Sequence, residues 1–298
     1  MKIYIKRHPS HAGKWIYHGY SLAWKKLGYE TIWYNKLDDI KDKGYQLMVV
    51  DSDISRENLP IIEKASRAYV FVQPNTFPQP WGRHPNFISH CSDVVIQKIN
   101  EMDNTHLWTF ADCKSQYYYK WKQVKTIPLA YDSESYDNLE DKRFSFDVCY
   151  IGGRANNGFD EKYKIMLQHF EVFQGTKLKC GFFIDKDLTH EQENKILYNS
   201  KVSLNIHDAY QRTFGLDTNE RTFKALGQTG VLVSDQITQL GKLFPHVKMS
   251  SDPKEMLKIV EEYVSIPQGQ LNIIKENNRR LILEEHTYIN RAKRMLKL

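Results

Sequence analysis

The stretch Phe146-Asp147-Val148-Cys149-Tyr150-Ile151-Gly152-Gly153-Arg154 predicts a buried strand over 146–151 that stops in two glycines and an arginine. Glycine directly after a strand lets the backbone approach a phosphate with no Cβ in the way, although a Gly-Gly pair there also makes an ordinary turn. Downstream, periodicity predicts a helix over 163–173, strands over 178–183 and 202–206 around a helix at 191–198, a helix opening at 220–226, and a strand at 231–234. Two final helices follow, at 254–264 and 268–298.

The same alternation runs upstream of this stretch. A strand over 2–7, a Pro/Ser/Gly loop over 8–13 and a helix over 15–27 that ends at Gly28 form one β-loop-α unit. Further strands are predicted at 31–34, at 46–50 before the acidic Asp51-Ser52-Asp53, and at 68–72, 93–97 and 124–128. Residues 134–145 are polar and aperiodic and read as a linker, so the chain divides into 1–133 and 146–298. Strands alternating with helices imply a parallel sheet covered on both faces, and the pattern occurs twice. The expected fold class is α/β with two Rossmann-like domains, each binding ligands at the C-terminal ends of its strands.

Composition supports an ordinary folded protein: of 298 residues, 41% are hydrophobic and 26% charged. The net charge of +6 is shared evenly between the halves, which excludes a dedicated basic arm. Cys91, Cys113, Cys149 and Cys180 form no CxxC pair, so neither a zinc site nor a redox pair is indicated. No apolar run approaches the ~20 residues that span a bilayer, and the charged start Met1-Lys2-Ile3-Tyr4-Ile5-Lys6 is unlike a signal peptide. A cytoplasmic location is expected.

From Tyr198 the chain reads Tyr-Asn-Ser-Lys-Val-Ser-Leu-Asn-Ile-His207, then Asn219-Glu220-Arg221-Thr222-Phe223-Lys224-Ala225-Leu226-Gly227, then Gly230-Val-Leu-Val-Ser-Asp235. Leu243-Phe244-Pro245 and Glu285-His286-Thr287-Tyr288-Ile289-Asn290-Arg291 come later. This succession resembles the C-terminal glycosyltransferase domain of the CgeB/YkvP-like family, related to the GT-B transferases of group 1. The likeness extends over about 150 residues, and the first half joins it only in outline, through Ile127-Pro128-Leu129-Ala130-Tyr131-Asp132. It implies a GT-B fold whose two Rossmann-like domains face a central cleft, a nucleotide-sugar donor held by the second domain, and a last helix crossing back to the first. It also implies a hexosyl- or pentosyltransferase that uses no metal and no cofactor, the nucleotide-sugar being a substrate. One position departs: where relatives carry a ribose-binding Glu, this chain has Lys224, which leaves either a donor with an unusual nucleotide contact or a ribose held by Asp217 or Glu220.

A diphosphate leaving group gains negative charge as the glycosidic bond breaks, so cations and N–H donors belong beside it. The donor-side candidates are Gly152, Gly153, Arg154, His207, Asn219, Glu220, Arg221, Thr222 and Lys224. Arg221 opens a helix, where the dipole also favours an anion, and Asn219 is either its N-cap or a ligand contact. His207 is either a base contact or a structural histidine. On the acceptor side, His18, Asp51 and Asp53 are the candidates for the base that inverting transfer requires, Asp51 and Asp53 also being suited to capping or solvation. The segment Tyr117-Tyr118-Tyr119-Lys120-Trp121-Lys122 is either an aromatic platform or an amphipathic helix with Tyr118 and Trp121 inward. The acceptor is expected to be a glycan, or a hydroxymethylated base in DNA; a catalytically inactive binding module is the third reading.

Overall fold

The structure, a computed structural model, describes residues 1–8, 11–50, 54–79, 88–114, 116–154 and 161–298. The chain forms two compact units, Met1–Pro128 with Tyr288–Leu298, and Leu129–Thr287.

The first unit holds β1 (Lys2–Lys6), α1 (His11–Lys26), β2 (Glu30–Tyr34), β3 (Gln46–Val49), α2 (Leu59–Lys64), β4 (Arg67–Phe71), α3 (Asp93–Glu101), β5 (Thr105–Thr109) and β6 (Lys125–Thr126). The strands pair in parallel in the order β2-β1-β3-β4-β5-β6. All four residues of β3 are buried, as expected for a central strand covered on both faces. One face packs Tyr4, Leu47, Val49, Val70, Val95, Ile96 and Ile99. Helix α1 turns Tyr17, Tyr20 and Trp24 inward at helical spacing and stops at Gly28, whose φ of +87° suits a residue without Cβ.

The β-branched run Asp93-Val94-Val95-Ile96 looks like a strand in sequence, yet it begins α3. Ser92 accepts a hydrogen bond from the Val95 N–H at 3.4 Å, and Val95, Ile96 and Ile99 then form one buried helical stripe. The strand of this region is β5, further on.

The second unit contains β7 (Val148–Gly152), α4 (Glu161–Glu171), β8 (Cys180–Ile184), α5 (His190–Asn199), β9 (Val202–Asn205), α6 (Ala209–Phe214), α7 (Glu220–Gln228), β10 (Leu232–Ser234), α8 (Thr238–Leu243), β11 (Lys248–Met249), α9 (Pro253–Ser265) and α10 (Gln268–Glu285). Its sheet is also parallel, in the order β11-β10-β9-β7-β8. Val148, Leu204 and Val233 are fully buried, each contributing roughly 1.5–3 kcal/mol. Residues 134–145 pack on α5: Asn199 donates to the Leu139 carbonyl at 2.7 Å and accepts from the Asp141 N–H at 2.9 Å.

The predicted helix over 268–298 is broken. The Tyr131 N–H donates to the His286 carbonyl at 2.8 Å and Thr287 bridges to Tyr131, which ends α10; the chain restarts as α11 (Tyr288–Met295). Arg279 on α10 donates through Nε to the Gln228 carbonyl at 2.7 Å, satisfying an orphan acceptor at the end of α7. Among the described residues no helix is long and apolar enough to cross a membrane.

Candidate functional site

In the second sheet the chain runs from β7 outward to β8, then crosses to the other side of β7 to form β9. The loops leaving β7 and β9 therefore diverge, and such a switch point at the C-terminal ends of the strands is where open α/β sheets hold ligands. Gly152, Gly153 and Arg154 end β7, Ile206, His207 and Asp208 follow β9, Asp235 follows β10, and α7 begins beside them.

Arg221, in the first turn of α7, reaches back over this point. Its Nε donates to the Ile151 carbonyl at 2.5 Å, and its Nη1 donates to Asn205 Oδ1 at 2.8 Å and to the Ile206 carbonyl at 3.4 Å. The guanidinium carbon lies 4.7 Å from the centre of the Tyr150 ring. A Cβ on Gly152 would stand 2.0 Å from Arg221 Nη2. The guanidinium thus accounts for glycine at this position, and among the described residues nothing bonds Nη2.

The other predicted donor residues divide into two groups. Arg154 is exposed and committed to Asp185, with Nε to Oδ2 at 2.5 Å and its own N–H to Oδ1 at 3.0 Å; Gly153 precedes it, half-buried. Asp185 itself has a φ of +49°, uncommon for a residue with a Cβ. His207 is fully buried, its Nδ1 2.6 Å from Asp235 Oδ1 and its Nε2 2.8 Å from Thr218 Oγ1. Burial alone would raise the Asp235 carboxyl, but His207 prevails and holds it below its ordinary range. Thr222 is also buried, between Thr218 Oγ1 at 2.6 Å and Asn205 Nδ2 at 2.9 Å. Asn219 occupies the N-cap position of α7 without a side-chain capping bond, exchanging amide hydrogen bonds with Asn205 at 2.9 and 3.1 Å instead.

Lys224 points to a different cluster. Its Nζ lies 3.3 Å from Glu193 Oε1 and 3.8 Å from Glu220 Oε2, and Tyr136 donates to Glu193 Oε2 at 3.0 Å. Burial disfavours the ammonium, yet Glu220 and Glu193 raise its pKa above the usual lysine value. Burial raises Glu220, whereas Lys224 and Tyr136 outweigh it at Glu193 and lower that carboxyl. Asp217 is raised by burial and accepts from Gln211 Nε2 at 2.7 Å and Tyr210 Oη at 3.1 Å through one oxygen.

Two cations of this site escaped the sequence reading. Lys162 is buried at the start of α4 with its Nζ 2.5 Å from Asp208 Oδ1, and burial lowers its pKa. Arg212, on the unpredicted α6, places Nε 3.5 Å from Asp235 Oδ2. Lys162 carries the signal of a cation in the first turn of the first helix of its unit; the predicted helix start at Tyr163 hid it.

In the first unit His18 is exposed on α1, while Asp51 and Asp53 lie outside the described residues. The 117–122 segment forms turns. Tyr118 and Trp121 are buried, with Trp121 Nε1 donating to the Gln73 carbonyl at 3.0 Å; Lys120 pairs with Asp93 at 2.6 Å, and Tyr119 is 61% exposed.

Residues 161–297 match a family described as glycosyl transferase-like. The matched stretch runs from α4 to α11 and holds every donor-side residue from Lys162 onward. No curated protein matches the sequence. Among solved structures the whole chain is similar to an alpha-glucosyltransferase in complex with UDP and a 13-mer DNA containing a HMU base, with 10% identity, a TM-score of 0.62 and coverage of 100% of this chain and 98% of that one. It is similar to AviGT4, a glycosyltransferase involved in avilamycin A biosynthesis, at 11% identity and a TM-score of 0.54, over 99% and 96% of the two chains. T4 phage BGT in complex with UDP-glucose gives 10% identity and a TM-score of 0.57 over 100% and 98%. The fold is that of the GT-B glycosyltransferases.

Proposed function

We propose that this protein transfers a sugar from a nucleotide-sugar donor to a hydroxyl of a glycan acceptor. The observation that carries the reading is the Arg221 guanidinium, pinned by strand-end acceptors over Gly152 at the switch point of a glycosyltransferase-like domain. A charge fixed in advance at a half-buried site stabilises a leaving diphosphate without reorganising during the reaction. Lys162 is the second cation assigned to the diphosphate, exchanging Asp208 for the ligand, and Arg154 lies at the rim. These side chains supply what a divalent ion would otherwise supply, so the reaction is assigned no metal and no cofactor. His18 is the described candidate for an acceptor base. The glycan is favoured over DNA as acceptor because Tyr118 and Trp121 are packed in the core and Lys120 is paired, which leaves the aromatic segment little platform for bases. The succession of motifs from Tyr198 to Arg291 supports placement near the CgeB/YkvP-like enzymes.

The test is release of free nucleotide from a panel of UDP-, GDP-, ADP- and dTDP-sugars, with and without oligosaccharide acceptors and with EDTA. Acceptor-dependent release that survives EDTA is the expected result. Binding of a nucleotide-sugar without release from any donor would identify an inactive binding module instead.

A further inference from the structure

A continuous buried path of hydrogen bonds links Arg221 to Asp235. Arg221 Nη1 meets Asn205 Oδ1 at 2.8 Å, Asn205 Nδ2 meets Thr222 Oγ1 at 2.9 Å, and Thr222 Oγ1 meets Thr218 Oγ1 at 2.6 Å. Thr218 Oγ1 meets His207 Nε2 at 2.8 Å, and His207 Nδ1 meets Asp235 Oδ1 at 2.6 Å. Asn205, Thr218, Thr222, His207 and Asp235 are all at least 98% buried, so water cannot replace a missing partner cheaply.

The direction of every bond in this path is determined by its two ends. A guanidinium only donates, so Asn205 must present its carbonyl oxygen to Arg221 and its NH2 to Thr222. Ionised Asp235 only accepts, so His207 carries a proton on Nδ1 and accepts at Nε2 from Thr218, which in turn accepts from Thr222. The two deductions meet at the Thr222 to Thr218 bond without conflict. A proton on His207 Nε2 would also face the Asn205 NH2, 3.3 Å away and fixed as a donor group by the guanidinium on the other side of the amide, so Nε2 accepts. The same path excludes a flipped Asn205 amide, which would turn an NH2 toward the guanidinium.

We propose that His207, anchored by Asp235, is a positioning residue for Arg221: through Thr218, Thr222 and Asn205 it fixes the one amide orientation that holds the guanidinium over Gly152 with Nη2 toward the ligand. The proposal rests on the assignment of Arg221 to the donor diphosphate. It gives the buried His-Asp pair a role in donor binding although neither residue touches the donor.

The first measurement is on the unmodified protein. Nitrogen-15 NMR of the histidine rings at neutral pH is expected to show His207 protonated on Nδ1 alone; an Nε2-protonated ring or an imidazolium overturns the proposal. The second is a double-mutant cycle read by calorimetric binding of inorganic pyrophosphate and of UDP. Thr222→Val is expected to weaken binding about fivefold in the wild-type background and less than about twofold in Arg221→Ala, with Thr222→Ser restoring most of the loss. Equal losses in both backgrounds mean that the network only supports the core, which overturns the positioning role and leaves the diphosphate assignment standing. Unchanged pyrophosphate binding in Arg221→Ala removes both together. If Thr222→Val does not fold, the ring tautomer alone decides.

Discussion

Gly19 in the first unit and Gly152 in the second each clear space that a Cβ would fill, but for different kinds of neighbour. A Cβ on Gly19 would stand 2.3 Å from Cδ2 of Tyr288, a buried ring that packs against Tyr20 with centroids 4.8 Å apart. At Gly152 the intruded atom is the tip of Arg221, 2.0 Å away, at the far end of a flexible side chain. One glycine seats a rigid ring in an apolar layer; the other seats a cation where strands end. Identical residues therefore protect stability in one unit and geometry in the other.

The largest effect that would break this contrast belongs to Arg221→Ala. Loss of a cation from a leaving group that becomes more negative is expected to lower kcat/KM by more than roughly tenfold, with the melting temperature nearly unchanged. An unaltered kcat/KM in a folded variant would remove the functional half of the comparison. Next comes Gly19→Ala, where overpacking against the Tyr288 ring is expected to cost about 1–3 kcal/mol in denaturant unfolding. Its affinity for UDP should match wild type, and a parallel loss of affinity would mean that this glycine is not purely structural. Gly152→Ala should invert that result. Because the displaced atom is a mobile tip, stability should fall by less than about 1 kcal/mol while pyrophosphate binding weakens several-fold. The smallest effect concerns Lys120→Ala/Lys122→Ala, measured as the salt dependence of acceptor binding. For a neutral glycan log K should hardly vary with log salt in either protein, whereas DNA would give about 0.9 per phosphate contact and a shallower slope in the variant.

Much of the second unit was legible in sequence because its strands end in Gly152, Ser234-Asp235 or Asn205-Ile206-His207, where apolar runs give way to residues that turn or bind. Arg221 and Asn219 were singled out because the family resemblance falls on them, at the head of a predicted helix. What Asn205 does was not legible, since a polar residue inside an apolar strand shows nothing of its partner, and Asn219 and Arg221 are more than a dozen positions away. Short α6 and α8 lack enough turns to display a period. The Val94-Val95-Ile96 run misled because β-branched residues favour strands until a cap such as Ser92 and a stripe through Ile99 outweigh them. Gly152 was noticed, but a glycine in sequence cannot reveal which side chain occupies its missing Cβ.

The placement of Tyr288–Leu298 in the first unit has a consequence for synthesis on the ribosome. Residues 129–287 are contiguous and can close into a finished sheet while the chain is still being extended. The unit that begins first is finished last. Until α11 emerges, the socket at Gly19 is empty, the Pro128 carbonyl lacks the hydrogen bond that Arg291 Nε donates at 2.8 Å, and Tyr20 keeps Tyr17 and Trp108 but lacks the Tyr288 ring. During that interval the nascent first unit presents an aromatic face of the kind chaperones recognise. A chain cut before Tyr288 would keep that exposure for the lifetime of the molecule.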